Sequence, residues 1–193
     1  MKKIVFKKDC SKGYNRHNIY IEKGVLVKKG TIIHSGNIVL GKSILEKCEL
    51  LPNNHIQDSI IFGCSVIGPF ARIRPGTTIC ENCKIGNFVE VKNSFIDSGT
   101  KISHLTYVGD AQIGRNCNIG CGTVFCNYDG EKKHRCKVGN NVFIGSNVNL
   151  IAPLVIGDDC MVASGTVVTQ NMPNSTFAIS RVKQENRKNK KVE

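Results

Sequence analysis

A proton acceptor, a few placed cations and a store of thiols are the chemically competent residues of this sequence. Imidazole, with an unperturbed pKa of about 6.5, suits proton transfer near neutral pH. Among five histidines, His104 opens the ordered run His104-Leu105-Thr106-Tyr107-Val108-Gly109-Asp110-Ala111. Arg74 and Lys92 belong to two further runs, Gly68-Pro69-Phe70-Ala71-Arg72-Ile73-Arg74-Pro75-Gly76 and Gly86-Asn87-Phe88-Val89-Glu90-Val91-Lys92. A guanidinium can grip two phosphate oxygens, and an ammonium offers a point charge. Arg72 is expected to point away from its neighbour Arg74 on an extended segment. Ten cysteines raise the question of a metal, but Cys80 and Cys83 form the only Cys-x-x-Cys. A structural zinc site needs a second such pair or a matching His pair, so no metal is implied.

These residues sit in a chain of 193 residues, enough for one domain with tails and a sizeable core. The formal charge of +12 is divided unevenly. Residues 1–30 carry nine bases and two acids, residues 181–193 six bases and two acids, and the body between them twelve bases and eleven acids. A basic leader (1–17) and a basic tail (181–193) thus flank a near-neutral body, and neither nucleic acid nor a membrane is an expected partner. No apolar run approaches the ~20 residues of a membrane span, and Ile4-Val5-Phe6 is too short for a signal peptide. The expectation is a soluble, cytoplasmic protein, whose thiols stay reduced and form no disulfide framework.

An internal repeat organises the body. Aliphatic residues recur every six positions at Ile61, Ile67, Ile73, Ile79, Ile85 and Val91, and again at Val138, Ile144, Leu150, Ile156, Val162 and Val168. Ile102, Val108, Ile113 and Ile119 connect the two runs with one five-residue step. This period fits a short strand plus a turn, stacked as a solenoid with the aliphatic side chains inward, and neither a helix nor a hairpin sheet has it. Glycine follows many of these positions, as in Ile85-Gly86 and Ile119-Gly120, where either a side chain would clash or φ must be unusual. Four residues after the aliphatic one comes something small, such as Ser65, Thr77, Cys83, Cys117, Thr123, Cys160 or Thr166, so most cysteines read as packing residues. Cys121 is off that register. From 126 to 137 the period gives way to a polar insertion, a common place for a site on a repeat protein.

The hexads resemble those of the left-handed parallel β-helix acyltransferases. That resemblance implies an all-β fold: a left-handed parallel β-helix, or hexapeptide-repeat solenoid, with one inserted loop and a short C-terminal tail. Weaker hexads at Val27, Ile33 and Val39 extend it to a domain of 18–180, with roughly eight coils over 18–172. The three ordered runs, Asn118-Ile119-Gly120-Cys121-Gly122-Thr123, the Asn127-Tyr128-Asp129-Gly130 loop and Ala178-Ile179-Ser180-Arg181 are more specific still. Together they are similar, at matching spacing, to the acetyltransferase half of the bacterial bifunctional uridyltransferases and acetyltransferases of glucosamine 1-phosphate. The match is sharpest from Phe62 to Arg181. Nothing resembles the uridyltransferase half, so a free-standing acetyltransferase is expected, without the magnesium that serves the other half.

The resemblance implies N-acetylation of glucosamine 1-phosphate by acetyl-CoA, supplying UDP-N-acetylglucosamine for cell-wall precursors. It implies His104 as general base and Ser146 as the group that protonates the leaving thiolate. Arg74, Lys92, Tyr107, Asn118 and Lys133 would hold the sugar phosphate. Cys121, Asn127, Tyr128, Ser146, Ser164 and Arg181 would hold acetyl-CoA. The family commonly has alanine where this chain has Cys121 and Ser164, which bears on the size of the acyl pocket. Homotrimers with sites at subunit interfaces are implied too. An acceptor such as a nucleotide-linked amino sugar, and a non-catalytic scaffold, are the competing readings. A solenoid carbonic anhydrase is disfavoured, because no two histidines stand five apart.

Overall fold

Branched aliphatic residues at a six-residue spacing favour short extended segments over helices. The computed structural model describes residues 3–8, 10–16 and 18–188, and among them it contains strands and no helix. The strands form three sheets of ten, eight and ten members, in which neighbours come from successive turns of the chain. The first sheet includes Lys84–Asn87, Lys101–His104 and Asn118–Ile119, the second Phe95–Ile96 and Ala111–Ile113, and the third Glu90–Lys92 and Tyr107–Gly109. Each turn visits the third, second and first sheets in that order, and the whole is a left-handed parallel β-helix of about nine turns. The hexads suggest about eight. The hexads through Val168 already reach into the ninth turn, which a bridge from Ile156 to Met172 and the strand Phe177–Ala178, beyond the expected bound of 172, complete.

Register explains the core. Ile67, Ile85, Ile102, Ile119, Ile144 and Val162 pair in sequence along the first sheet, so residues of one hexad position stack in a single column. All six are buried, as are the columns facing them from the other two sheets. Each such side chain contributes about 1.5–3 kcal/mol relative to exposure. The small positions line the inner corners. Ser65 and Thr100 donate their hydroxyls to Cys80 O and Gly114 O, both at 2.7 Å, across to the next turn. Cys117 and Cys160 make the same bond with a thiol, to Gly139 O and Pro173 O at 3.0 Å. Cys117 and Cys160 are therefore packing residues with a weak donor. Burial pushes the Cys83 thiol up to about 11 and those of Cys48 and Cys136 up to about 12.

The glycines that follow the aliphatic column act through space. Gly86 and Gly120 have no positive φ, but a Cβ at Gly86 would lie 1.9 Å from Ser103 O, and one at Gly120 would lie 2.4 Å from the Gly145 carbonyl carbon. Turns of the solenoid approach too closely there for any side chain. Positive φ belongs to the corners instead. Asn93 and Asp110 hold φ of 46° and 50° at the corner between the third and second sheets, a conformation Asn and Asp tolerate. At the corner between the first and third sheets, Phe70, Phe88 and Leu105 hold φ of 59°, 55° and 47°. Bulky residues rarely do so. All three are exposed, and the rings of Phe70 and Phe88 stack with centroids 5.6 Å apart.

The segment read as a leader has a structural task. Lys3–Val5 pairs antiparallel with Ile32–His34, Tyr14–Arg16 with Ile19–Ile21, and Cys10 bridges Val27. Each sheet thus has its first edge covered by a chain running the opposite way, with Phe6 buried beneath. Covering an open edge blocks further pairing, as the caps of repeat proteins do. Lys2, Asp9, His17 and the tail from 189 onward lie outside the described residues. No helix among the described residues is long and apolar enough to cross a membrane.

Candidate active site

Two groups of predicted residues assemble on opposite edges of the third sheet. The first is a column. Asn87 pairs with His104, and the registers Ile102 to Ile119, Ile119 to Ile144 and Ile144 to Val162 carry that column on through Cys121, Ser146 and Ser164. Backbone bonds follow the same line, Asn147 N–H to Cys121 O at 2.7 Å and Gly165 N–H to Ser146 O at 2.8 Å. Arg181 closes it by donating from Nη1 to Ser164 O at 3.3 Å. Rungs of a sheet are about 4.8 Å apart, so His104 and Cys121 are immediate neighbours.

His104 is exposed, and its Nδ1 lies 2.6 Å from Asn87 Oδ1. An amide oxygen can only accept, so the bond puts the proton on Nδ1 and leaves the Nε2 lone pair outward. Ser146 donates its backbone N–H to Ser164 Oγ at 3.1 Å. No acceptor among the described residues meets the Cys121 backbone N–H, which leaves one donor free a single rung from the imidazole.

The second group lies where the third sheet turns into the second. Arg74 and Lys92 occupy one column, which Gly109 continues. Arg74 Nη1 meets Glu90 Oε1 at 2.8 Å, and Lys92 Nζ meets Asp110 Oδ2 at 3.3 Å. The Lys133 amine reaches the same place from the inserted loop. The close approach of the Lys92 amine and its charge, with the more distant Arg74, pushes it below the usual lysine range. Three cations therefore converge with fewer acids than their charge requires, as an anion site demands. A Cβ on Gly109 would lie 2.4 Å from the Tyr107 hydroxyl and 2.7 Å from Asn127 Nδ2, so these two side chains meet over a bare glycine beside the cations.

The inserted loop is an ordered hairpin shorter than the aperiodic stretch, because Cys126 and Cys136 already belong to the flanking strands. Tyr128 bridges Lys133, and His134 N–H donates to Asn127 O at 2.8 Å. Asp129 Oδ1 accepts from the Glu131 and Lys132 N–H groups, and its Oδ2 lies 2.6 Å from His134 Nε2. These bonds hold the Asp129 carboxyl well below the usual range. Lys133 is thereby presented to Lys92, while the Tyr128 ring stays exposed.

Of the residues expected at a site, the structure brings His104, Cys121, Ser146, Ser164 and Arg181 together in one group. It brings Arg74, Lys92, Tyr107, Asn127 and Lys133 together in the other. Asn118 stands apart on the outer face of the first sheet, in register with Lys101 and Phe143. The expectation for Arg72 is corrected. Residues i and i+2 of a strand share a face, and Arg72 and Arg74 both reach Glu90, at 3.9 and 2.8 Å. Asn87, Glu90 and Asp110 were legible only as members of ordered runs. The available signal was their spacing of one turn from His104, Tyr107 and Asn127.

Comparison with known proteins accords with the repeat architecture. Residues 58–93 and 135–170 match the bacterial transferase hexapeptide (six repeats) family. The chain is 50% identical over 142 residues to the bifunctional protein GlmU of Pelobacter propionicus, a match covering 74% of this chain and 31% of that protein. It is 44% identical over 188 residues to GlmU of Clostridium tetani, covering 89% of this chain and 41% of that one. The chain thus spans about a third to two fifths of the length of these curated relatives. Among solved structures, LpxA of Acinetobacter baumannii superposes with a TM-score of 0.53 at 14% identity, covering 86% of this chain and 70% of that one, a likeness of fold. The chain is thus similar to bifunctional GlmU proteins over part of their length, and it carries the hexapeptide repeats of bacterial transferases.

Proposed function

We propose that the chain transfers the acetyl group of acetyl-CoA to the amine of glucosamine 1-phosphate, giving N-acetylglucosamine 1-phosphate and CoA. The observation that carries this reading is the pairing of a base column with a cation cluster across one narrow sheet. The strand between them, Tyr107–Gly109, has three residues. At about 3.3 Å per residue that is a span on the scale of a hexosamine phosphate. The sugar phosphate binds at Arg74, Lys92 and Lys133, and its amine points across Tyr107 toward His104.

His104 Nε2 takes a proton from the ammonium, and the freed amine attacks the thioester carbonyl. A C–N bond forms, the C–S bond breaks, and the Cys121 N–H steadies the charge that develops on the carbonyl oxygen. The nitrogen gives up its second proton as the adduct collapses, and Ser146, one rung beyond Cys121, relays a proton to the departing thiolate. The Asn127-Tyr128 hairpin and Arg181 hold CoA, the latter through its phosphates. The thiol of Cys121 and the hydroxyl of Ser164 narrow the acyl pocket relative to alanine. No step needs a metal ion.

The assembly belongs to the same reading. Phe70, Phe88 and Leu105 form an exposed apolar ladder beside Asn87 and His104, a surface that a second copy of the chain would cover. We place the working form as a homotrimer whose sites lie at these contacts. The deciding experiment measures CoA release by the purified chain with glucosamine 1-phosphate, glucosamine 6-phosphate and a UDP-linked amino sugar. Turnover with the first is expected, and acetylation of the UDP-linked amine alone would overturn the assigned acceptor.

A further inference from the structure

The polar corner ladder around Asp97, Arg115 and Asn140 spends its bonds within the solenoid. Asp110, by contrast, is an acid to which the mechanism gives no task. Asp110 is 6% exposed, and three donors converge on its carboxylate. Asn93 Nδ2 meets Oδ1 at 2.6 Å, while Lys92 Nζ at 3.3 Å and Asn127 Nδ2 both meet Oδ2. Asn93, Asp110 and Asn127 stand seventeen residues apart, one per turn, so they form a single corner ladder. Its last member is also the first residue of the inserted hairpin. One oxygen is thereby shared between a lysine of the cation cluster and the asparagine that starts the hairpin.

We propose that Asp110 is a positioning residue that holds the acceptor-phosphate clamp and the acetyl-CoA hairpin as one unit, an inference resting on the two-substrate reading above. Three donors around one side chain require acceptors on both of its oxygens. Asparagine at 110 would remove the charge that holds the Lys92 ammonium and turn an NH2 group against either Asn93 or the Lys92–Asn127 pair, so the three bonds cannot all be kept as they stand. A simple counter-charge role makes the opposite forecast for the phosphate. Removing a negative charge beside Arg74, Lys92 and Lys133 would then tighten anion binding. The two roles are therefore separable by the sign of one effect.

The test is steady-state kinetics of the full chain and of its Asp110→Asn and Lys92→Met variants, with glucosamine 1-phosphate and acetyl-CoA varied in turn. Asp110→Asn should raise KM for both substrates, by about tenfold each, the loss expected for a charge-assisted hydrogen bond. Lys92→Met should raise KM for the sugar phosphate alone. An Asp110→Asn enzyme with unchanged KM for acetyl-CoA, or with a lower KM for the sugar phosphate, would sink the proposal while leaving the two-substrate reading intact. A wild-type chain that turns over neither substrate overturns that reading, and the proposal with it. Should Asp110→Asn fail to fold, Asn93→Gly carries the test, because glycine accepts the left-handed φ at 93 and only the bond to Oδ1 is lost. It should raise both KM values severalfold, and no rise in either would be decisive against.

Discussion

His104 Nδ1 lies 2.6 Å from Asn87 Oδ1, across one rung of the first sheet. The two residues are in register, each just before a corner residue of positive φ, Leu105 and Phe88. The tautomer of the proposed base is thus set by its neighbour one turn earlier. Replacing Asn87 by Ala should lower kcat about tenfold and leave both KM values within about twofold. His104→Ala should cost about 10²- to 10⁴-fold in kcat, the range for general base catalysis. Circular dichroism of both variants should match the wild type, and an unchanged kcat for His104→Ala would remove the assigned base.

The acid limb of stability should depend on Asp110. Burial raises its carboxyl, but the hydrogen bonds from Asn93, Asn127 and Lys92 and the Lys92 charge outweigh that effect and hold it below the usual range. A group with a depressed folded pKa adds stability that is fully present above its unfolded value, about 3.9, and is lost as pH falls through the folded value. The melting temperature of the wild type should therefore drop as pH is lowered below about 4. Asp110→Asn should start lower at neutral pH and fall less over the same interval. Parallel curves for the two proteins would contradict this.

Gly86→Ala tests the close approach of turns. With Ser103 O only 1.9 Å from the added Cβ, the backbone itself must move. The expected cost is about 1–3 kcal/mol or more, typical of overpacking. For a chain of this size that is a fall of several degrees in melting temperature. Because Asn87 and His104 lie next to the displaced segment, activity should fall further than stability does. A melting curve indistinguishable from the wild type would show that the turns are farther apart than described.

Thiol labelling tests the assignment of the cysteines. Cys64 is exposed at a corner, whereas Cys48, Cys83 and Cys136 are buried with thiols pushed far up. The thiolate is the reactive form. Brief treatment with an alkylating reagent at pH 8, followed by peptide mass spectrometry, should modify Cys64 first. The three buried cysteines should react only once the chain is unfolded. Early modification of Cys83 in the native protein would argue that it is not a packing residue.

The amino-acid sequence by itself determined the solenoid, because a parallel coil demands the same small and branched residues at the same hexad positions in every turn. That demand is periodic, so the columns from Ile67 to Val162 and the inward thiols of Cys117 and Cys160 could be read without coordinates. The motif spacing likewise singled out His104, Arg74 and Lys92. Tertiary structure alone decided what lacks a period. The basic start of the chain became a cap because its strands pair backwards with the first turn, and antiparallel pairing leaves no hexad mark. Arg72 joined Arg74 on Glu90 because the pleat sets both on one face. Asp110 became a junction only when Asn93 and Asn127, one turn before and one turn after it, were stacked against it. Proximity across turns follows from register, and register is fixed by the packing of the whole coil rather than by any local run of residues.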